Sequence, residues 1–405
     1  MWVFYFFAAV LIWQGVVSLL GGVRFLAYVR HELIAVRPRF TPFATIIAPC
    51  RGLDQGLREN LCALFRQDYP AYEIIFVTDR ADDPSLAVIA EVRREWAQAE
   101  RAQSRVVIAG EAMESGQKVH NLCAAVAQAD AQSEVLAFVD TDARPRSGWL
   151  LALVAPLADE HLGATTGYRW FIPVNGGLAS HLRSVWNASI ASALGERKDR
   201  NFCWGGSTAI RRSTFNQLDM LKQWRGTLSD DFALMRALRQ AKLPIHFVPG
   251  CLTASLEDCG FRELLEFTTR QLKITRVYAS HLWTAVLIGS ALFVLVFFGG
   301  LALAILRAAR GQSYAAPLAL IGLIYALGVA KAALRWRAVH LPLNAYRAQL
   351  QRGLPAHLLL WPLCSVLYLY NALCAAFSRR IEWRGITYEL KSPTETVIIK
   401  SVSGQ

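Results

Sequence analysis

The chain has long uncharged apolar runs near both ends and short apolar runs in its middle. The N-terminal run, residues 2–23, is long enough to cross a hydrocarbon core of ~30 Å at about 1.5 Å per residue. Three further runs lie at residues 282–306, 313–330 and 354–378. This pattern predicts an integral, multi-pass membrane protein with a water-soluble domain between the first run and the other three.

Basic side chains follow the first run directly, at Arg24, Arg30, Arg37 and Arg39. They favour a membrane anchor over a cleaved signal peptide, and the positive-inside rule puts them in the cytoplasm. We therefore expect a cytoplasmic soluble domain, at the inner membrane if the protein is bacterial. Four crossings are the simplest count, but the basic tail 379–405 also favours the cytoplasm. One of the two weaker runs would then be re-entrant or interfacial.

In the middle of the chain, apolar runs typical of buried strands alternate with amphipathic stretches typical of helices. The predicted strands are 44–48, 72–78, 105–109 and 135–139, and the predicted helices are 53–66, 85–97, 118–128 and 232–240. Strands that are apolar on both faces belong to mostly parallel sheets covered by helices on both sides, so the expected fold class is α/β. Asp54 is the candidate N-cap of the first helix.

These patterns divide the chain into five parts. They are an anchor at 1–28, a soluble domain at 41–265, an amphipathic interfacial helix at 261–281, a transmembrane region at 282–378 and a tail at 379–405. Apolar residues make up 54% of the chain and charged residues only 18%, which argues against an ordinary soluble enzyme or a disordered chain. Because the net charge of +12 lies largely beside the apolar runs, the expected partner is the lipid bilayer and not a nucleic acid.

Acidic side chains follow the predicted strands at the points where the strands end. Asp79 follows the strand 72–78, and Asp140 and Asp142 follow the strand 135–139. Open α/β sheets bind their ligands at the carboxyl ends of strands, and alternate residues of an extended chain point the same way. We therefore expect Asp140 and Asp142 to share one cation, Mg²⁺ or Mn²⁺, with the phosphates of a substrate.

The adjacent acids Asp230 and Asp231 supply the candidate general base. A neighbouring like charge tends to move the pKa of a carboxylate towards the working pH. We predict that Asp231 is the base and that Asp230 lies on the acceptor side of the site. The alternative is that these residues only cap the helix 232–240; the two roles are compatible if Ser229 or Asp230 caps the helix while Asp231 faces the cleft.

A lysine and a Gly-rich turn are further candidates. Lys118 lies at a predicted helix start, where it could meet a phosphate, hold an acid or remain solvated. Trp204 precedes Gly205 and Gly206; the glycines would let backbone approach a ligand and the indole would offer an apolar platform for an acceptor. The alternative for the turn is a tight bend over a buried tryptophan.

A basic stripe precedes the first C-terminal apolar run. Arg270, Lys273 and Arg276 recur every three residues on a predicted helix at 261–278, so they share one helix face. Such a stripe could clamp a diphosphate or lie against anionic lipid headgroups.

Several motifs, in this order, resemble a family 2 glycosyltransferase of the ceramide glucosyltransferase type. They are PCRGL at 49–53, QDYP at 67–70, TDR at 78–80, SGQKVHN at 115–121, DTDAR at 140–144, GGSTAIRRSTF at 205–215, LSDDFAL at 228–234 and WRGITY at 383–388. Most of the soluble domain and part of the tail take part in this resemblance.

The resemblance implies a membrane-anchored GT-A (Rossmann-like) domain that transfers a hexose, with inversion, from a nucleotide sugar to a lipid hydroxyl such as that of ceramide. UDP-glucose is the expected donor, and a divalent metal is the expected cofactor. Carried over by position, Asp79 and Asp140 would bind the nucleotide sugar, Asp142 with Asp140 would hold the metal, and Asp231 would be the base. Lys118, Arg270 and Lys273 are further candidates for donor binding.

Three alternative functions differ in class or in acceptor. A processive polysaccharide synthase relies on a QxxRW motif, whereas residues 270–274 read RQLKI and have no Trp. A polyprenyl-phosphate sugar transferase differs only in its acceptor. A catalytically inactive membrane scaffold would be expected to have lost its carboxylates, yet the candidate acids are all present.

Overall fold

The computed structural model describes residues 2–98 and 101–401. Met1 of the predicted anchor and the last four residues of the predicted tail therefore lie outside the described residues. The described chain forms two compact units. One unit comprises residues 31–172, 193–257 and the tail from 379, and the other comprises residues up to 30, 173–192 and 258–378.

The helices and strands are numbered in chain order. The helices are α1 (Trp2–Ile34), α2 (Leu57–Phe65), α3 (Ser85–Glu95), α4 (Gln117–Ala127), α5 (Trp149–Val154), α6 (Leu178–Ala191), α7 (Arg212–Gln217), α8 (Met220–Gln223), α9 (Asp230–Gln240), α10 (Phe261–Tyr278), α11 (Ser280–Ala309), α12 (Ala315–Val339), α13 (Arg347–Leu359) and α14 (Trp361–Phe377). The strands are β1 (Ala44–Pro49), β2 (Tyr72–Thr78), β3 (Ala102–Ile108), β4 (Val135–Val139), β5 (Ala164–Ile172), β6 (Ser207–Arg211), β7 (Ile245–Leu256), β8 (Arg380–Trp383), β9 (Ile386–Ser392) and β10 (Glu395–Ser401).

A seven-stranded mixed sheet forms the centre of the soluble unit. Its strand order is β3-β2-β1-β4-β6-β5-β7. The first four strands in this order are parallel, β6 pairs antiparallel with both β4 and β5, and β7 runs parallel to β5. This sheet confirms the predicted α/β class and adds three strands, β5 to β7, that the sequence patterns did not predict.

Both faces of the sheet are buried, which is why its inner strands read as continuous apolar runs. On β1, the adjacent residues Ile46 and Ile47 are both fully buried but belong to different apolar clusters. Ile74 and Ile75 on β2 divide between the same two clusters. Because successive strand residues point to opposite faces, each strand needs apolar residues at every position to cover both sides.

The first predicted helix starts later than expected. It begins at Leu57, after Gly56 with φ of 68°, a left-handed conformation that glycine adopts at little cost. Gly56 is the N-cap, so the prediction that Asp54 caps this helix was wrong. The Asp54 carboxylate instead forms an ion pair with Arg384, 2.5 Å from oxygen to nitrogen.

The tail of the chain folds into a second, antiparallel sheet of β8, β9 and β10, which the sequence patterns did not predict. Strands β8 and β9 are joined by the two residues Arg384 and Gly385, both with positive φ. Two-residue hairpin turns of this kind favour glycine, so an arginine at φ of 51° holds an uncommon backbone conformation.

The membrane unit contains helices long and apolar enough to cross a bilayer. These are α1, α11 and α12. A fourth span is possible if the segment 344–359, which includes α13, and α14 cross the bilayer together; the two are bent by 72° relative to each other. The predicted run 313–330 is part of a longer helix, α12, and the predicted run 354–378 is broken into the bent pair. Apolar packing of Leu11, Phe293 and Ile321 joins α1, α11 and α12.

Candidate active site

The strand order reverses at β1 and β4, since β2 lies on one side of β1 and β4 lies on the other. Open parallel sheets bind ligands at the carboxyl ends of the strands beside such a switch point. Strand β4 ends at Val139, and Asp140 and Asp142 follow it directly. The two predicted metal ligands are thus at the edge of the sheet where a ligand is expected.

Arg169 connects these two carboxylates. It lies on β5, and its guanidinium nitrogens are 3.0 Å from Asp140 Oδ2 and 3.0 Å from Asp142 Oδ2. Burial would lower the pKa of Arg169, but the charges of Asp142 and Asp140 outweigh burial and raise it. Sequence reasoning missed this residue; a charged side chain inside the apolar run ATTGYRWFI was the available signal.

Lys118 connects Asp140 to the second acidic site. Its Nζ is 2.8 Å from Asp140 Oδ1 and 3.4 Å from Asp230 Oδ1. Burial favours a lower pKa for Lys118, but the two carboxylates outweigh it and raise the pKa. Of the roles open to this lysine, the structure supports holding acids; a contact with a donor phosphate stays a prediction.

Asp140 therefore forms ion pairs with two cations. Burial raises the pKa of Asp140, but Lys118 and Arg169 together hold it below its usual value. Three carboxylates and two cations, contributed by Asp140, Asp142, Asp230, Lys118 and Arg169, thus form one connected cluster, called here the acid cluster.

The Gly-rich turn packs directly against the acid cluster. A Cβ on Gly205 would lie 2.2 Å from Asp230 Oδ2 and 2.9 Å from Lys118 Nζ, so only glycine fits beside this ion pair. Trp204 is 9% exposed, and the Arg169 guanidinium carbon lies 4.8 Å from the centre of its ring. The acceptor-side role predicted for Trp204, Gly205 and Gly206 stays a prediction.

The adjacent acids Asp230 and Asp231 have different surroundings. Ser229 is the N-cap of α9, and its hydroxyl accepts a hydrogen bond from the Phe232 backbone N–H. The sequence offers Ser229 or Asp230 for this capping role. Asp231 Oδ1 accepts hydrogen bonds from the Ser229 hydroxyl and from the Phe232 N–H, the latter at 2.7 Å. Asp231 Oδ2 accepts no hydrogen bond within the described part of the chain. Asp231 is half-buried, whereas Asp230 is buried in the acid cluster.

The tail sheet supplies a third cation near these carboxylates. Arg384 pairs with Asp54, and the charges of Asp142 and Asp140 also raise the pKa of Arg384, although burial acts to lower it. Burial raises the pKa of Asp54, with Asp142 adding to the effect and Arg384 opposing it. Sequence reasoning named the WRGITY motif but did not assign it a place in the site.

Two contacts place the tail and the end of β2 at the same edge of the sheet. The Tyr388 hydroxyl accepts a hydrogen bond from the Gln117 N–H at the start of α4, at 3.2 Å. Asp79, directly after β2, is buried and pairs with Arg51 at 2.8 Å. Both Arg51 and Asp79 act electrostatically on Tyr388.

The other predicted donor-binding residues, Arg270 and Lys273, lie on α10 in the membrane unit. The Arg270 guanidinium carbon is 5.6 Å from the centre of the Phe267 ring. A part in donor binding stays a prediction for both residues.

The chemistry of the acid cluster suits a hard divalent cation. Within the described part of the chain, no three His, Cys, Asp or Glu side chains are grouped to hold a metal. Asp140 and Asp142 offer two carboxylates, and Mg²⁺ is commonly bound by one or two carboxylates plus substrate phosphates and water. The two residues therefore fit a cation that arrives with a phosphate-bearing substrate, and such a cation would compete with Arg169 for their oxygens.

The raised pKa of Asp230 predicts that the stability of the folded protein depends on pH. Burial, together with the charges of Asp231 and Asp140, raises the pKa of Asp230 to about 6 although Lys118 opposes the change. Between about pH 4 and 6 the folded protein holds a proton that the unfolded chain has lost. The stabilisation is therefore complete at low pH and is lost as the pH rises through about 6. As the pH rises from 5 to 7.5, Asp230→Asn, which cannot ionise, should gain roughly 1–1.5 kcal/mol of stability relative to the parent.

The measurement is the melting temperature of purified full-length protein followed by tryptophan fluorescence across that pH range. Asp68→Asn, which removes an exposed carboxylate, is the control. A melting-temperature difference between Asp230→Asn and the parent that does not change with pH would contradict the assignment.

Comparisons with known proteins bear on the family of the chain. The model of glycosyl transferase family 21 matches residues 4–396. Among solved structures, the mannosyltransferase PcManGT from Pyrobaculum calidifontis in complex with GDP-Man and Mn²⁺ is 16% identical, with a TM-score of 0.45, and the match covers 92% of this chain and 98% of that one. Glucosyl-3-phosphoglycerate synthase from Mycobacterium tuberculosis is 14% identical, with a TM-score of 0.38, and the match covers 60% of this chain and 85% of that one.

These structural likenesses are too weak to indicate a substrate. The family match, in contrast, extends over nearly the whole chain, from the first membrane helix to the tail sheet. It confirms the resemblance carried by the motifs. The chain belongs to glycosyl transferase family 21, the ceramide glucosyltransferase family, and is a glycosyltransferase.

Proposed function

We propose that the protein transfers a hexose, with inversion and with a divalent metal, from a nucleotide sugar to the hydroxyl of a membrane lipid. UDP-glucose is the proposed donor, and ceramide or a similar lipid is the proposed acceptor. The observation that carries the proposal is the acid cluster at the switch point of the sheet, in a chain that belongs to a sugar-transferring family.

Asp231 is the proposed general base. Its Oδ1 is fixed by Ser229 and Phe232, which leaves Oδ2 to accept a proton. As the acceptor oxygen bonds to the anomeric carbon, its proton passes to Asp231 Oδ2. The bond from that carbon to the diphosphate oxygen breaks, and the nucleoside diphosphate leaves with the bonding electrons. The proposed step is thus a single inverting displacement, in which one bond to the anomeric carbon forms as the other breaks.

Asp230 is proposed to remain in the acid cluster and to support the base. It is buried and lies beside Lys118 and Gly205, so it has little room to reach a substrate hydroxyl. Its raised pKa makes it the competing candidate for the base, because a carboxyl with a pKa near the working pH is well suited to proton transfer.

Asp140 and Asp142 are the proposed ligands of Mg²⁺ or Mn²⁺. When bound, such an ion neutralises charge that develops on a leaving diphosphate. Arg169 holds the two carboxylates together, and Lys118 and Arg169 keep the pKa of Asp140 below its usual value although burial acts to raise it. Asp79 is proposed to contact the nucleotide, since it ends β2 next to the switch point.

Arg384 is proposed to bind the donor diphosphate. It sits at the tip of the β8–β9 hairpin in a conformation that is uncommon for arginine, and such conformations persist where the surrounding structure fixes them, often at functional sites. Its side chain is 42% exposed, so the guanidinium can exchange Asp54 for a phosphate. Arginine is well suited to this because its planar fork binds phosphate oxygens in pairs.

The acceptor is proposed to be a lipid because the same chain carries three helices long enough to span a bilayer. The proposed cytoplasmic side for the soluble unit rests on the basic residues after the first apolar run. A panel of labelled nucleotide sugars incubated with membranes, followed by lipid extraction, tests donor and acceptor together. Label that stays in the aqueous phase with every donor would contradict transfer to a lipid.

Replacing Asp231 with Asn should reduce kcat by roughly 10²–10⁴, because the amide cannot accept the acceptor proton. Donor affinity, measured by titration calorimetry, should change little. Asp230→Asn is the comparison. If Asp230→Asn loses the larger part of kcat while Asp231→Asn stays active, Asp230 is the base and the assignment to Asp231 is wrong.

Chelation of divalent metal should stop sugar transfer, and added Mn²⁺ or Mg²⁺ should restore it. Asp142→Asn should raise the metal concentration needed for half-maximal activity at least tenfold, since it removes one of two ligands. Asp82→Asn, a surface carboxylate paired with Arg80, should leave this concentration unchanged. Undiminished transfer in excess chelator would exclude the metal role.

Replacing Arg384 with Ala should raise the donor KM by about tenfold or more, because a charge-assisted hydrogen bond contributes roughly 1.5–3 kcal/mol. Arg384→Lys should recover part of the loss. Lys391→Ala, an exposed cation of the same tail sheet, is the matched control. A donor KM equal to that of the parent, with a lowered melting temperature, would mean that Arg384 serves only to hold Asp54.

A further inference from the structure

The membrane unit holds one buried and one half-buried cation on α12. Lys331 and Arg335 are one helical turn apart on this apolar helix, and Arg335 is only 6% exposed. A charged side chain within an apolar span is costly, and such residues usually mark a functional site with a definite partner. The first question is therefore which group neutralises them.

Within the described part of the chain, no carboxylate does so. Arg335 takes part in no hydrogen bond or ion pair with a described residue, and its Nε is buried without a partner. Lys331 donates a hydrogen bond to the neutral Ser18 hydroxyl at 2.5 Å. Burying an unpaired charge is costly, and no carboxylate among the described residues offsets that cost here.

The sequence explains why no carboxylate neutralises these two cations. Residues 267–378 contain ten Lys or Arg and no Asp or Glu. The acids just before this segment already have partners. Asp258 accepts the backbone N–H groups of residues 174–176, Glu263 accepts the Gly260 N–H, and Glu266 pairs with Arg262. The membrane unit is therefore built with buried cations and without the anions to match them.

The surroundings of Arg335 are polar. The Tyr368 hydroxyl and the Cys364 thiol act electrostatically on Arg335, and Arg335 acts on His357. His357 hydrogen-bonds the Ser184 hydroxyl at 3.1 Å, and Tyr368 donates to the Trp186 carbonyl at 2.8 Å. These side chains could accommodate an oxyanion, although none of them carries a negative charge to pair with the guanidinium.

Both cations lie towards the C-terminal end of α12. Arg335 lies four residues and Lys331 eight residues before the end of α12 at Val339, which corresponds to about 6 Å and 12 Å along the helix axis. The interfacial layer on each side of a bilayer is roughly 5–8 Å thick. With Val339 at the outer edge of this layer, a phosphate at the boundary between headgroups and hydrocarbon would lie close to both side chains.

We propose that Arg335 and Lys331 bind the phosphate of an anionic membrane phospholipid. A guanidinium binds phosphate oxygens in pairs, and an ammonium one turn away adds a second charge. A lipid is favoured over a soluble phosphate because both residues belong to a helix that is long and apolar enough to span the bilayer. The site does not depend on which sugar is transferred or on which lipid accepts it.

Native mass spectrometry of the full chain, released from nanodiscs of phosphatidylcholine with a minority of phosphatidylglycerol, tests the proposal. The parent protein should retain phosphatidylglycerol preferentially. Arg335→Gln and Lys331→Gln should each lower that retention at least tenfold. Arg337→Gln, which removes an exposed cation of the same helix, should retain the lipid as the parent does.

Equal retention by Arg335→Gln and Arg337→Gln would overturn the proposal, as would equal retention of the two lipids by the parent. If Arg335→Gln does not fold, Lys331→Gln compared with Arg337→Gln decides the proposal in the same way. A second arm measures the melting temperature of delipidated protein in detergent. Added phosphatidylglycerol should raise it in the parent and less in the variants; the same rise with inorganic phosphate alone would overturn the assignment to a lipid.

Discussion

The soluble unit depends on one network of buried charge, in which Lys118 and Arg169 hold Asp140, Asp142 and Asp230 at the edge of the sheet. Carboxylates so close together repel one another unless cations lie between them. Each cation touches two carboxylates, so removing either one would leave charge uncompensated in a poorly solvated place. The network also explains local sequence constraints, since only glycine at position 205 leaves room for the contact between Lys118 and Asp230.

The same network sets the positions of the carboxylates that a ligand at this edge of the sheet would meet. Its cations come from α4 and β5, so the carboxylates are already fixed in place before a ligand arrives. Asp140 and Asp142, held in this way, would need little reorganisation to bind a divalent cation, which would compete with Arg169 for their oxygens. The tail sheet adds Arg384 through Asp54, so the described part of the tail belongs to the soluble unit.

The two units differ in how their buried cations are neutralised. In the soluble unit, buried cations are matched by carboxylates from other elements. In the membrane unit, the segment 267–378 has cations but no acids, so Arg335 is buried without an anion from the described protein. A bilayer rich in phosphate can supply an anion to Arg335, whereas the soluble unit pairs Lys118 and Arg169 with its own carboxylates.

The sequence by itself determined the elements whose signal is local. Apolar runs fixed the membrane helices, the parallel strands β1 to β4 and the position of Asp140 and Asp142 after a strand end, because the period and length of such runs follow from the backbone geometry. The tertiary structure alone decided how the charges pair. Arg169 meets carboxylates 27 and 29 residues away, and Arg384 meets one 330 residues away. No local pattern encodes such a pairing, because it depends on which strands become neighbours and on how the tail folds back onto the unit.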